Sequence, residues 1–179
     1  MTRKVILFIA ETLDGYIAEE DGNIDYLIDS DFTSGETTDH EYEKLVKHVD
    51  TVVMGRKTYE QVANKLSPNN YPYDDYENYI LTTHPTESLD NIHFIRDNAI
   101  DLVEMLKGQP SKKDIWIIGG SSIIAPLVNA DLIDTYQIGI VPIVLGKGIP
   151  LFSDKTKFKE LNLESAKKIN GIAYLTYSK

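Results

Sequence analysis

Asp114-Ile115-Trp116-Ile117-Ile118-Gly119-Gly120-Ser121-Ser122-Ile123-Ile124 is the stretch on which the fold turns. Its apolar run is long enough for one buried strand and ends in two residues without a Cβ, after which Ile123 to Leu127 has helical apolar spacing. A strand, a tight glycine turn and a helix start follow. Backbone N–H groups at such a turn, with the positive end of the helix behind them, suit a phosphate. The glycine pair also has a simpler use, as a tight turn that permits close helix packing.

Working outward, strands alternate with short helices. Val5 to Ala10 reads as a buried strand, followed by a loop over residues 13–24 that carries the turns Asp14-Gly15 and Asp21-Gly22-Asn23 around a short Tyr16-Ile17-Ala18 segment. Residues 29–38 are polar and turn-rich. Beyond them Tyr42, Leu45, Val46 and Val49 recur at helical spacing, and Thr38 with Glu41 fits a capping box that puts Asp39 in the first turn, on the buried side. Asp39 also has the plainer reading of a helix-terminal acid. A strand over Asp50–Met54 leads into a helix started by Gly55-Arg56-Lys57-Thr58. An irregular surface loop covers 67–78, strands are expected at Tyr79–Thr83 and Ile92–Ile95, and a helix between Ala99 and Leu106. Asp134 to Val141 reads as a long strand and Leu145 to Phe152 as a glycine-rich loop. Phe158–Ile169 and Gly171–Ser178 read as a hairpin joined at Asn170-Gly171. No repeat or linker divides the pattern, which predicts one α/β domain over residues 1–179 with a mixed sheet.

Composition narrows the chemistry. A net charge of −10 on 179 residues argues against a nucleic-acid partner, because phosphate-backbone contact calls for a basic stripe. The chain has no cysteine, which removes disulfides, thiolate metal sites and a cysteine nucleophile. His40, His48, His84 and His93 lack ligand spacing, so no metal site is expected. Gly-x-Ser-x-Gly, Gly-x-Gly-x-x-Gly and the phosphate-loop motif are all missing. The N-terminal apolar run is too short for a membrane span or signal peptide, and the expectation is a cytoplasmic protein without a membrane partner.

In an open sheet of this kind ligands gather at the C-terminal ends of the parallel strands. Four segments should converge there: the loop 13–24, Gly55-Arg56-Lys57-Thr58, Thr82-Thr83-His84, and Gly119-Gly120-Ser121-Ser122. Two strand-to-helix turns suit a ligand with two phosphates. Arg56 and Lys57 could add charge, or could simply be solvated, and Thr58, Thr82 and Thr83 could donate hydrogen bonds.

Leu13-Asp14-Gly15-Tyr16-Ile17-Ala18 with Gly22, Val53-Met54-Gly55-Arg56-Lys57-Thr58-Tyr59-Glu60, Ile80-Leu81-Thr82-Thr83, Ile117-Ile118-Gly119-Gly120-Ser121 and Pro142 to Phe152 form an ordered set over nearly the whole chain. In that order and spacing the chain resembles the dihydrofolate reductase-like superfamily. It is closest to the branch related to the reductase domain of bacterial riboflavin biosynthesis, the RibD C-terminal-like branch. The resemblance implies a three-layer sandwich: a mostly parallel eight-stranded sheet, flanking helices and a C-terminal antiparallel hairpin. It also implies NADPH as hydride donor and a small-molecule substrate, heterocyclic or ribosylaminopyrimidine-like, related to that of 5-amino-6-(5-phosphoribosylamino)uracil reductase.

The resemblance further assigns the residues. Gly119-Gly120, often a cis pair in this family, with Ser121, Ser122 and Ile123 would serve the pyrophosphate and nicotinamide side. Gly55, Arg56, Lys57 and Thr58 would form the phosphate-binding turn, Thr82 and Thr83 would lie near the adenosine ribose phosphate, and Ala10 and Ile17 would line the nicotinamide pocket under a mobile lid over residues 14–22. Asp39, with Glu43 one turn further on, takes the place of the acid that assists protonation. Tyr26 is only a rough counterpart of the folate enzymes' lid tryptophan, and the arginine that grips folate's glutamate has no equivalent, so folate is not the expected substrate. A homodimer is implied; Tyr136, Ile138 and Ile140 could give one apolar face to a partner or to the domain's own core. A non-catalytic nucleotide-binding or interaction protein that retains the fold is the alternative.

Overall fold

The computed structural model describes residues 2–28 and 40–179. The expectations for residues 29–38, for Asp39 and for the Thr38–Glu41 capping box lie outside these residues. In chain order the elements are β1 (Val5–Thr12), β2 (Tyr16–Ala18), α1 (Asp25–Ile28), α2 (His40–His48), β3 (Val49–Gly55) and α3 (Arg56–Gln61), which runs on as a π-helical turn over Val62–Leu66. Then come β4 (Glu77–Leu81), β5 (Ile92–Ile95), α4 (Ala99–Gly108), β6 (Asp114–Gly119), α5 (Ser121–Asn129) and β7 (Thr135–Val141). The chain closes with β8 (Ile149–Pro150), β9 (Asn162–Ile169) and β10 (Ile172–Ser178).

Among the described residues eight strands join in the order β5-β4-β3-β6-β1-β7-β10-β9, and β2 pairs with β8 in a small separate ribbon. The first six run parallel, while β10 is antiparallel to both β7 and β9. This is the mixed, mostly parallel sheet with a C-terminal hairpin that the resemblance implies. The hairpin turn places Asn170 and Gly171 at φ 50° and 82°, the left-handed pair that a two-residue turn requires. Its first strand is shorter than the sequence suggests: β9 begins at Asn162, and Phe158 is 94% exposed.

Strand alternation divides the core into two layers. Val5, Leu7, Ile115, Ile117, Tyr136 and Ile138 face α4 and α5, which bury Leu102, Val103, Leu106, Ile123, Ile124 and Leu127 against them. Ile6, Val52, Met54, Ile80, Ile92 and Trp116 face the other way, toward Leu45 of α2. Tyr136 and Ile138, 1% and 5% exposed, therefore belong to the chain's own core and are not available to a partner.

Two sequence expectations shift on the α2 side. The loop before β4 is more than a surface loop: Tyr71, Tyr73 and Tyr76 pack onto the second core layer. Asn78, fully buried, accepts from the Tyr71 hydroxyl at 2.9 Å and donates to the carbonyls of Tyr73 and Tyr76. On α2 the buried positions are Glu41 and Leu45, while Tyr42 is 40% exposed. A carboxylate goes inside there because Lys44 and Lys167 both reach it, at 3.0 and 2.9 Å.

Candidate active site

Parallel pairing brings two strand-to-helix turns side by side. β3 and β6 are neighbours, with Met54 opposite Gly119, so Gly55-Arg56 and Gly119-Gly120-Ser121 leave the sheet next to each other. A Cβ built on Gly120 would lie 3.9 Å from the Thr58 hydroxyl, and one on Gly55 would lie 3.4 Å from Cδ1 of Ile123. Gly119 and Gly120 are joined by a cis peptide bond, and Gly119 has φ +126°, a conformation that side chains disfavour. α5 starts from Gly120 and α3 from Gly55, neither of which has a side chain to cap the helix. In α5 the Ile123 N–H donates to the Gly120 carbonyl at 3.0 Å; the earliest N–H groups of a helix have no acceptor within it, so both turns present donors at the same end of the sheet.

The third segment joins them through Arg56. Its Nε donates to Glu60 at 2.7 Å, its Nη1 donates to the His84 carbonyl at 2.8 Å, and the guanidinium lies 5.8 Å from the Phe94 ring centre. Thr82 and Thr83 lie just beyond the end of β4. The His84 N–H donates to the Thr82 hydroxyl at 3.1 Å, and the Thr83 hydroxyl lies 2.9 Å from His84 Nδ1. Both hydroxyls thus shape this loop. Lys57 is exposed, and Ser121 and Ser122 open α5.

The fourth segment is fastened down. Asp14 accepts from the Thr12 hydroxyl at 2.6 Å and from the backbone N–H groups of Leu145 and Gly146 at 3.0 and 2.7 Å. The Thr12 hydroxyl bond, followed by these backbone donors, holds the Asp14 carboxyl down at about 2. β2 pairs with β8, Gln61 donates to the Gly22 carbonyl, and Lys147 meets Glu20 at 2.8 Å. Gly148 passes so close that a Cβ there would sit 2.3 Å from the Ala18 carbonyl oxygen. Among the predicted site residues, Ile17 of this loop packs against the α4/α5 core layer, whereas Ala10 sits opposite Gly139 on the face turned toward α2. Glu43 lies half-buried on α2.

Several residues of this region were not singled out from the sequence. Asp14-Gly15 reads as a turn, and nothing in the order of residues pairs Asp14 with a backbone more than a hundred positions away. Glu11, near the end of β1, carries a carboxyl that burial pushes above its ordinary range. Glu41 is held the other way, chiefly by its hydrogen bond from Lys167. On the α2 side a run of rings crosses the sheet: Tyr59, Tyr71, Tyr73, Trp116, Phe8 and Tyr174, in successive contacts of 5.4–6.4 Å.

The sequence profile of the RibD C-terminal domain matches residues 3–172. The chain belongs to the RibD C-terminal domain family. It is 39% identical to the uncharacterized protein YwjB of Bacillus subtilis (strain 168) over 178 residues, 99% of this chain and 98% of that one. Pig (Sus scrofa) dihydrofolate reductase is a more distant relative, 28% identical over 66% of this chain and 60% of its own. Among solved structures, a candidate riboflavin biosynthesis protein from Shewanella sp. PV-4 superposes with a TM-score of 0.80 at 28% identity, covering 99% of this chain and 98% of that one. The Thermotoga maritima diaminohydroxyphosphoribosylaminopyrimidine deaminase/5-amino-6-(5-phosphoribosylamino)uracil reductase shares the fold, with a TM-score of 0.67 at 15% identity. The match covers 99% of this chain and 56% of that larger one. No helix among the described residues is long and apolar enough to cross a membrane.

Proposed function

We propose that this RibD C-terminal family member is an NADPH-dependent reductase of a small heterocyclic or ribosylaminopyrimidine-like molecule, working as one domain over residues 1–179. The observation that carries the reading is the approach of Gly120 to Thr58, within 3.9 Å of a Cβ position that glycine leaves empty. A phosphate chain laid across the two turns meets backbone donors from α3 and α5, with the Thr58 hydroxyl beside them. NADPH, when bound, supplies the hydride. The chain's own part is to bind and orient: Gly55 to Thr58 and Gly119 to Ile123 receive the pyrophosphate, and Arg56, Lys57, Thr82 and Thr83 the ribose phosphate. Ala10 and Ile17 flank the nicotinamide, and the fastened loop 13–24 excludes water. Asp39, with Glu43 one turn on, is assigned to the proton that reduction of a C=N bond requires at nitrogen. Cytoplasmic residence and a homodimer complete the reading, the dimer using a surface other than the buried face of Tyr136 and Ile138.

Titration with NADPH, followed by its nicotinamide fluorescence, tests the proposal. Saturable enhancement at micromolar cofactor, weakened about tenfold in Thr58→Val, is the expected result. A flat titration up to high micromolar cofactor overturns it and favours a non-catalytic protein that keeps the fold.

A further inference from the structure

On the α2 face of the sheet the amide side chain of Gln137 stands beside a cluster of rings. Gln137 of β7 is in register with Phe8 of β1 on one side and Thr176 of β10 on the other, so all three side chains share that face. Phe8 in turn lies 6.3 Å from the ring of Tyr42 on α2, 6.0 Å from that of Trp116 and 6.4 Å from that of Tyr174. In this setting the Gln137 side-chain oxygen is buried and has no hydrogen-bond partner among the described residues. Buried amide oxygens are nearly always bonded, because losing water without a replacement is costly. Leucine or methionine would fill the same place without that penalty. An acceptor kept there in the unbound protein is explained if a ligand completes it.

The position fits a substrate. One row nearer the C-terminal ends of the strands, Ala10 pairs with Gly139. A Cβ on Gly139 would lie 3.4 Å from Cε1 of Tyr174, so the absence of a side chain lets the Tyr174 ring fold over β7 beside Gln137. Strand spacing and rise put Gln137 roughly 8 Å from Ala10, one strand across and two residues back. That is the span of one flat ring system lying against a group held at Ala10.

We infer that Gln137 selects the substrate: its buried amide oxygen, on the face it shares with Phe8 and Thr176, accepts a hydrogen bond from a ring N–H or amino group of a flat heterocycle. This rests on the reductase reading, with nicotinamide at Ala10. A polar acceptor buried in an apolar wall discriminates strongly against analogues that lack the donor, because they leave it unpaired. The preferred substrate class is therefore an amino- or lactam-bearing nitrogen heterocycle, and plain aromatic rings of the same size are rejected.

Trp116 is the chain's single tryptophan and touches Phe8, Tyr42 and Tyr73, so its fluorescence reports on this floor. With NADPH present, 2-amino-4-hydroxypyrimidine and unsubstituted pyrimidine are titrated into the wild-type protein, Gln137→Leu and Gln137→Met, and NADPH affinity and unfolding temperature are measured on the same samples. The aminohydroxypyrimidine should quench saturably in the wild type and bind at least about tenfold more weakly in both variants. NADPH affinity should be unchanged and the unfolding temperature of the free variants no lower. Methionine, nearly as long as glutamine, decides the matter if leucine disturbs the fold. Equal probe affinity in wild type and variants, equal affinity for plain pyrimidine, or no saturable quench in a wild type that binds NADPH overturns this inference alone. A wild type that binds no NADPH overturns the reductase reading and this inference with it.

Discussion

Asp14 and Gly146 are bound to each other across 132 positions of sequence: the aspartate carboxylate accepts the Gly146 backbone N–H at 2.7 Å. With the Leu145 N–H as second donor and the Thr12 hydroxyl as third, this one side chain ties the loop after β1 to the loop after β7. This tie lies at the C-terminal end of the parallel strands, where the two loops meet. Asp14→Ala should raise amide hydrogen exchange in both 13–24 and 143–150 together. Faster exchange confined to 13–24 would show that the loops move separately.

Acid should act on Asp14 and Glu11 with opposite sign. Asp14 has a folded-state pKa of about 2, below its ordinary 3.8, so its contribution is present above the ordinary value and is lost as pH falls toward 2. Glu11 is shifted upward by burial from 4.5, so the folded state favours its proton. Its contribution is complete below 4.5 and is lost as pH rises through the raised value. Unfolding temperatures measured between pH 7 and pH 2 should show Glu11→Gln more stable than wild type at pH 7, with the gap closing below 4.5. Asp14→Asn should be less stable at pH 7 and converge with wild type near pH 2. A Glu11→Gln gap that does not change with pH would assign its effect to packing.

Gly148→Ala tests the seam between the same loops. The added Cβ would meet the Ala18 carbonyl oxygen, a backbone atom, at 2.3 Å, so a chain segment has to move. A loss of about 2 kcal/mol, roughly 5 °C in unfolding temperature, is expected. Gly22→Ala is the useful contrast, because there a Cβ meets nothing within 4 Å and only its φ of +89° is unfavourable.

Lys167→Met removes one cation from the buried Glu41. Lys44 remains, and Lys167 itself is 44% exposed, so the loss should be about 1 kcal/mol, less than for a fully buried pair. Urea unfolding should show a lower midpoint with an unchanged slope. A double variant that also removes Glu41 should recover part of the loss.

The proton-handling assignment makes its own prediction. Asp39→Asn should leave NADPH affinity near that of the wild type and lower turnover about 10²-fold or more. Full turnover in that variant, with loss in Glu43→Gln, would transfer the role to Glu43.

Periodicity along the chain was enough for the strands and for the turns at their ends. Apolar runs such as Ile115–Ile118 read as buried strands, Gly119-Gly120 as a tight turn and Asn170-Gly171 as a hairpin turn, because each rests on interactions among near neighbours in sequence. The same locality made Gly55 to Thr58 and Gly119 to Ile123 legible as strand-to-helix turns. Strand order was a different matter. That Met54 lies opposite Gly119, and so brings Thr58 to Gly120, depends on which strands are neighbours, and periodicity does not encode pairing. The buried charge of Glu41, the Asp14 bonds to Leu145 and Gly146, and the unbonded oxygen of Gln137 depend on it as well. A helix pattern treats an acid as a surface residue unless a cation from a distant strand is known to reach it, and no local rule brings Lys167 to Glu41. The sequence by itself determined the elements and the family likeness; the tertiary structure alone decided which polar groups meet, because hydrogen-bond partners are chosen by distance in space.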